Sequence, residues 1–89
     1  MRLVFFVKED CPACRNAKEK VGFFLDKWGV AGDVPVEAIN LSTADGLVEA
    51  AMKQVSEVPT IVLVDGDDEV ARWSKSAPPS DELKTRLGV

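Results

Sequence analysis

The sequence has no histidine, no tyrosine and only two cysteines among its 89 residues. A structural zinc ion needs four ligands, most often cysteine and histidine. Because the two cysteines have neither a histidine nor a second cysteine pair to complete the set, the composition argues against a zinc site.

Long apolar runs are also missing. The first apolar run, residues 3–7, has five residues, whereas a membrane-spanning helix needs about 20 and a secretory signal needs a longer apolar segment than this one. We therefore expect neither an export signal nor a membrane segment, and we expect a cytoplasmic protein, in a compartment where thiols stay reduced.

What remains is an ordinary globular composition, with 46% hydrophobic and 29% charged residues. A chain of 89 residues suits one domain, residues 1–89, because two domains of half that length would bury too little surface. The net charge is -4, so phosphate backbones and anionic lipid should repel the chain. We expect no nucleic-acid partner and no membrane partner.

The first half of the chain predicts two strands and two helices. Residues 2–7 are nearly all apolar, as in a central strand buried on both faces. Pro12 opens a helix that ends near Gly29, and residues 34–41 form the second strand. The apolar stripe of this helix contains Ala17, Val21, Phe24, Leu25 and Trp28.

For the second helix, Ser42 is the predicted cap, with Asp45 three residues later. The predicted inward stripe of this helix contains Leu47, Val48, Ala51, Met52 and Val55, and Gly46 weakens the helix slightly.

In the second half, residues 60–64 and 70–73 form a hairpin around Asp65-Gly66-Asp67, and Ser80 caps a last helix that buries Leu83 and Leu87. The element order is βαβαββα. It predicts an α/β fold, a mixed four-stranded sheet flanked by helices on both faces, with a right-handed parallel crossover in its first half. Functional groups in such sheets gather where strands end and helices begin, which is where Cys11 lies.

The two cysteines, Cys11 and Cys14, are three residues apart at the start of the first helix. A disulfide across so short a loop adds little stability, which favours a pair that reacts or binds over a structural disulfide. Three readings compete with a reactive pair. A zinc site would need more ligands than the chain offers. Copper carriers with such a cysteine pair have a different element order, βαββαβ. The third reading is a pair of buried, inert cysteines.

Disulfide exchange requires a thiolate, and a helix N-terminus favours that anion. We expect the pKa of the Cys11 thiol to lie below the value of about 8.5 for a free thiol. Arg15 and Lys18 support this shift, whereas Glu9 and Asp10 oppose it. Cys14 lies one turn further in, within bridging range, so Cys11 should attack a disulfide and Cys14 should resolve the mixed disulfide.

Three motifs resemble the thioredoxin-fold superfamily, specifically its small glutaredoxin-like and thioredoxin-like members. They are CPAC at residues 11–14, VPT at 58–60 and DGDDEV at 65–70. The resemblance covers nearly the whole chain. It implies a thioredoxin-like fold and a monomeric dithiol–disulfide oxidoreductase without a bound cofactor. Its partners would be disulfide-bearing proteins, with a thioredoxin-reductase-type enzyme or glutathione as the electron donor.

The same resemblance assigns substrate-binding positions. It implies that Pro59 is cis and lies beside Cys11, that the backbone of Val58 pairs with a substrate peptide or glutathione, and that Lys8 helps to hold glutathione. Pro12 and Ala13, between the cysteines, complete this set.

The sequence departs from the motifs of both glutaredoxins and thioredoxins. The glycine pair and aspartate that bind glutathione in glutaredoxins have no match before Ser80. Asp10 and Phe5 stand where thioredoxins have a tryptophan and a buried acid. The proton acceptor of Cys14 is therefore open between Glu9, Asp10, Glu57 and water.

Two alternative functions stay open. One is a carrier in which Cys11 from two subunits and two glutathione molecules hold an iron–sulfur cluster. The other is a redox-inert binding module with the same fold. Trp28 and Trp73 are interpreted as packing residues in every case.

Overall fold

The computed structural model describes all 89 residues and has the predicted element order. The elements are β1 (Arg2–Val7), α1 (Pro12–Lys27), β2 (Val36–Asn40), α2 (Ala44–Met52), β3 (Thr60–Asp65), β4 (Asp68–Ser74) and α3 (Ser80–Leu87). β2 is shorter than the predicted 34–41, because the Val34 N–H donates to the Val30 carbonyl at 3.2 Å in the turn that precedes the strand. No helix combines the length and apolarity that crossing a membrane requires.

The four strands form one mixed sheet in the order β2-β1-β3-β4. β1 pairs with β2 in parallel, β3 pairs antiparallel with β1, and β4 pairs antiparallel with β3. β1 is buried on both faces, as its apolar run predicts, because Leu3 and Phe5 belong to one core cluster and Val4 and Phe6 to the other. The predicted fold class is confirmed.

The two faces of the sheet are covered unequally. The larger core holds residues of α1 and α3 together with β1 and β3: Leu3, Phe5, Ala17, Val21, Leu25, Val34, Ile61, Leu63 and Leu83. The smaller core holds one helical residue, Ala50 of α2, with Val4, Phe6, Leu41, Val55 and Val62. Two helices therefore pack on one face, whereas the other face has only the nine-residue α2.

The predicted stripe of α1 is confirmed. Ala17, Val21 and Leu25 are buried, and Phe24 and Trp28 are half-buried against the same core. The Trp28 ring stacks on the Phe24 ring with centroids 5.6 Å apart. Trp73 also packs against this core, and its indole N–H donates to Glu82 Oε1 at 3.0 Å, so both tryptophans pack as expected.

The predicted inward face of α2 is wrong. Leu47, Val48 and Met52 are 54%, 58% and 74% exposed, and Gly46 and Ala50 are buried instead. The physical reason is a close approach, because a β-carbon at Gly46 would clash with the backbone carbonyl of Asn40. Only the small-residue side fits against the sheet. Among the remaining residues of the predicted stripe, Ala51 is exposed too, whereas Val55 is buried but lies beyond the end of the helix.

Both predicted serine caps are also wrong. Thr43 caps α2, and its Oγ1 accepts from the Gly46 N–H at 3.0 Å. Ser42 instead accepts a hydrogen bond at Oγ from the Glu9 N–H at 3.1 Å. At α3 the carbonyl of Pro79 accepts the first helical hydrogen bond, from the Leu83 N–H at 3.0 Å. This places Pro79 at the cap position and leaves Ser80 as the first helical residue.

Two leucine variants test the assignment of the helix faces. Leu83 of α3 is fully buried, so Leu83→Ala should lower the free energy of unfolding by about 2–5 kcal/mol. Leu47 is exposed, so Leu47→Ala should change it by no more than about 0.5 kcal/mol. Urea denaturation of both variants measures the difference, and equal losses would contradict the outward orientation of α2.

Candidate functional site

Cys11 and Cys14 are joined by a disulfide at the start of α1, with their Cα atoms 5.2 Å apart. The pair bridges because Cys11 is the cap of the helix and Cys14 lies in its first turn, on the same side. The expectation that the two sulfurs lie within bonding range is confirmed.

The backbone around Cys11 favours negative charge on its sulfur. The Cys14 N–H donates to Cys11 Sγ at 3.2 Å. The first turn of α1 contains no acidic residue, so the unpaired N–H groups of the helix end are not neutralised there. A helix N-terminus of this kind stabilises negative charge at the cap position, which Cys11 occupies.

The two sulfurs differ in accessibility. Cys14 is only 3% exposed and packs at the inner side of the helix, whereas Cys11 is half-buried. An incoming disulfide can therefore reach Cys11 more easily than Cys14. The order of attack expected from the sequence, Cys11 before Cys14, stays a prediction.

The loop before β3 lies at the same end of the sheet. The Val58-Pro59 peptide bond is cis, as the resemblance implied. Thr60 pairs with Phe6, so Pro59 stands next to the end of β1, from which the chain leads to Cys11. The Lys75 N–H donates to the Pro59 carbonyl at 2.6 Å, and this contact holds the loop after β4 against the proline.

A groove of about 430 Å³ is lined by Ala13, the residue that follows Pro12 between the two cysteines, and by other residues of α1. Ala13 and Asn16 from α1 form one wall, and Lys75 and Ser76 from the loop after β4 form another. Residues 75–77 were not singled out from the sequence, since they carry no motif. The only unusual feature is backbone geometry, as Lys75 has a φ of 71°.

The remaining candidates from the sequence are at the surface. Lys8, Pro12 and Ala13 are exposed, and Lys8 makes no ion pair. Among these three, only Ala13 lines the groove. No group of three or more histidine, cysteine, aspartate or glutamate residues is arranged to hold a metal ion.

No carboxyl group is buried beneath Cys14. All fifteen Asp and Glu residues are exposed, and Phe5, at the position of the thioredoxin acid, is part of the apolar core. Glu57 lies 3.5 Å from Lys75 Nζ in an exposed ion pair. A proton that leaves Cys14 must therefore pass to solvent or to a surface group.

The difference in accessibility predicts the order of alkylation in the reduced protein. Iodoacetamide should modify Cys11 first, because its sulfur is the more accessible of the two. Peptide mapping after short exposure measures which cysteine carries the label. Faster labelling of Cys14 would contradict the assigned roles.

Neither a protein-family model nor a curated protein matches the sequence. Solved structures do match the fold. Thioredoxin 1 from Thermosipho africanus TCF52B has a TM-score of 0.75 at 20% identity, over 99% of this chain and 91% of that chain. Thioredoxin O2 from Arabidopsis thaliana, in an oxidized state, has a TM-score of 0.74 at 18% identity, over 98% and 71%. Fasciola hepatica thioredoxin has a TM-score of 0.70 at 23% identity, over 98% and 77%.

The chain therefore has the thioredoxin-like fold, built on three helices and a mixed four-stranded sheet. Within this fold it carries a Cys-x-x-Cys disulfide at the N-terminus of the first helix. The chain is thus a protein of thioredoxin-like fold that carries a Cys-x-x-Cys disulfide.

Proposed function

We propose that the protein is a thiol–disulfide oxidoreductase that reduces disulfides in other proteins. The observation that supports this most directly is the Cys11–Cys14 disulfide at the cap of α1, where the Cys14 N–H donates to Cys11 Sγ. This donor stabilises negative charge on the sulfur that is also the more accessible of the two. Fold similarity to thioredoxins agrees with the proposal.

The first chemical step is attack by the Cys11 thiolate on a substrate disulfide. A bond forms between Cys11 Sγ and one substrate sulfur, while the substrate S–S bond breaks. The second substrate sulfur leaves as a thiolate and takes a proton from water. The helix N-terminus lowers the cost of holding charge on Cys11 before attack.

The second step closes the intramolecular disulfide. Cys14 gives its proton to water or a surface group, and its thiolate attacks Cys11 Sγ. The bond between Cys11 and the substrate breaks, and the remaining substrate sulfur leaves as a thiolate. Two electrons have passed from the cysteine pair to the substrate, which leaves the protein in its disulfide form.

Substrate binding is assigned to the surface around the disulfide. The backbone of Val58, next to cis Pro59, would pair with an extended substrate segment, as an added strand pairs with a sheet edge. Pro12 and Ala13 would contact the residues that flank the substrate disulfide. Lys8 is exposed and free of ion pairs, so it would contribute positive charge to an acidic substrate or to glutathione.

The electron donor is proposed to be a thioredoxin-reductase-type enzyme. The glycine pair and aspartate that bind glutathione in glutaredoxins have no match here. The loop after β4 instead places Lys75 and Ser76 at the groove. Glutathione remains the competing donor because Lys8 is accessible.

Reduction of insulin by dithiothreitol tests the proposed activity. The protein should shorten the lag before the insulin B chain precipitates, because each turnover transfers two electrons through the cysteine pair. Replacing dithiothreitol by NADPH with thioredoxin reductase, or by glutathione with glutathione reductase, then identifies the donor. No acceleration with any of the three reductants would refute the proposal.

A further inference from the structure

The outer side of α2 carries an apolar stripe that the fold leaves uncovered. Its residues follow the spacing of an amphipathic helix, i, i+3, i+4, i+7 and i+8, which normally marks a face packed against a core. All of them are exposed: Ala44, Leu47, Val48, Ala51 and Met52. We call this set the α2 stripe. Exposed apolar surface of this regularity is typical of a binding face.

A groove of about 240 Å³ lies beside the α2 stripe, on the sheet face that only one helix covers. Ile39 and Val64 contribute apolar surface to it, and Glu49 and Lys53 line it from the flank of α2. The stripe and the groove thus form adjoining parts of one side of the molecule.

The charges along this side define what can bind there. Four carboxylates and two cations line the groove, namely Glu37, Glu49, Asp67, Glu69, Arg2 and Lys53. Arg2 lies 4.0 Å from Glu37, and Arg72 Nη2 lies 2.7 Å from Glu69 Oε1, so two of the four carboxylates are already paired. Glu49 and Asp67 are in no ion pair and outnumber the one remaining cation, Lys53. Asp45 adds a further acid in the first turn of α2. The surface around the stripe is therefore negative, as is the whole chain at -4.

This charge disfavours a second copy and an anionic membrane. Two copies facing each other through α2 would bring carboxylates together, which costs free energy. The stripe is also short, since nine residues of helix extend for only about 14 Å. A stable dimer usually buries about 800 Å² on each partner. A single segment with opposite charge fits the size and the sign of the surface.

We propose that the α2 stripe and its adjoining groove dock a basic amphipathic helix of a partner protein. Apolar residues of that helix would pack on Leu47, Val48 and Met52, and its lysines or arginines would face Asp45 and Glu49. This is recognition of an amphipathic helix by a complementary apolar surface. The proposal does not depend on the redox activity, because neither cysteine belongs to the surface.

Hydrogen bonds connect the docking surface to the segment that leads to Cys11. The Leu41 N–H donates to the Val7 carbonyl at 2.8 Å, and the Glu9 N–H donates to Ser42 Oγ at 3.1 Å. These bonds hold the start of α2 against the loop that leads to Cys11. A partner helix on α2 would therefore bind to an element whose preceding residues are hydrogen-bonded to the loop before Cys11.

A designed peptide tests the proposal. It has about 14 residues, roughly four helical turns, with leucine along one face and lysine elsewhere, and its twin has glutamate in place of lysine. Titration into ¹⁵N-labelled oxidised protein should shift the amide signals of α2 with the lysine peptide. The glutamate twin should bind at least about tenfold more weakly, since it meets like charge.

Variants locate the binding. The double variant Leu47→Gln, Met52→Gln should raise the Kd of the lysine peptide by at least about tenfold, because it removes the exposed anchors while keeping good helix formers. Phe23→Gln is the matched control, as Phe23 is 61% exposed on α1, and it should leave the Kd unchanged.

Four results would overturn the proposal. They are no binding of the lysine peptide, equal binding of its glutamate twin, and an equal loss in Phe23→Gln. The fourth is evidence that something else occupies the stripe. The wild-type protein would then form a dimer in sedimentation equilibrium, or bind phosphatidylserine vesicles, and the double variant would not. All four are independent of insulin reduction, so failure here leaves the proposed activity unaffected.

Discussion

Replacing Cys11 by serine should reduce insulin reduction to the rate of dithiothreitol alone. The Cys11 sulfur is the one that accepts the Cys14 N–H at 3.2 Å and that solvent can reach. A serine hydroxyl at the same cap position stays protonated at neutral pH and does not attack a disulfide. Because Ser is a good helix cap, α1 should still form, and circular dichroism should show native helix content.

Cys14→Ser is the matched variant and should give a different outcome. Cys11 can still attack, but no second sulfur releases the substrate, so a mixed disulfide accumulates. Mass spectrometry under non-reducing conditions should show a covalent adduct between the protein and an insulin chain at Cys11. An adduct at Cys14 in the Cys11→Ser protein, or activity that survives Cys11→Ser, would contradict the assigned roles.

Gly46→Ala should be the most destabilising single-methyl change available in α2. The added β-carbon would meet the backbone carbonyl of Asn40, which belongs to β2 and cannot move without disturbing its pairing with Val7. Overpacking against backbone costs about 3 kcal/mol. In a chain of this size such a loss lowers Tm by more than about 10 °C, which thermal denaturation followed by circular dichroism would show.

Gly22→Ala provides the control for this variant. Gly22 is exposed in the middle of α1, and a β-carbon there meets nothing within 4 Å. Alanine should raise the free energy of unfolding by about 0.5–1 kcal/mol, because glycine is a poor helix former. If both variants had the same effect on Tm, the close approach of α2 to Asn40 would be refuted.

Much of the candidate site could be anticipated from local sequence. The spacing of Cys11 and Cys14 at a helix start places the two sulfurs within bonding range whatever the rest of the chain does. The groove could not be anticipated in the same way. Its walls come from α1 and from residues 75–77, which are far apart in sequence and carry no shared motif.

The α2 stripe shows where periodicity stops being informative. The spacing of Leu47, Val48 and Met52 correctly predicts a helix, since it is a property of 3.6 residues per turn. It does not say which side of that helix meets the sheet. Steric fit decided this, because only the side with Gly46 and Ala50 approaches Asn40 closely enough.

By itself, the sequence determined the element order, the burial of β1 on both faces and the meeting of the two cysteines, since each follows from side-chain pattern within a few residues. The tertiary structure alone decided the orientation of α2, the residue that caps it and the composition of the groove lined by α1 and residues 75–77. The first two depend on close contacts of Gly46 with Asn40 and with Thr43, and side-chain pattern does not encode the backbone geometry that makes them. The groove depends on the distance between two segments that are remote in the chain.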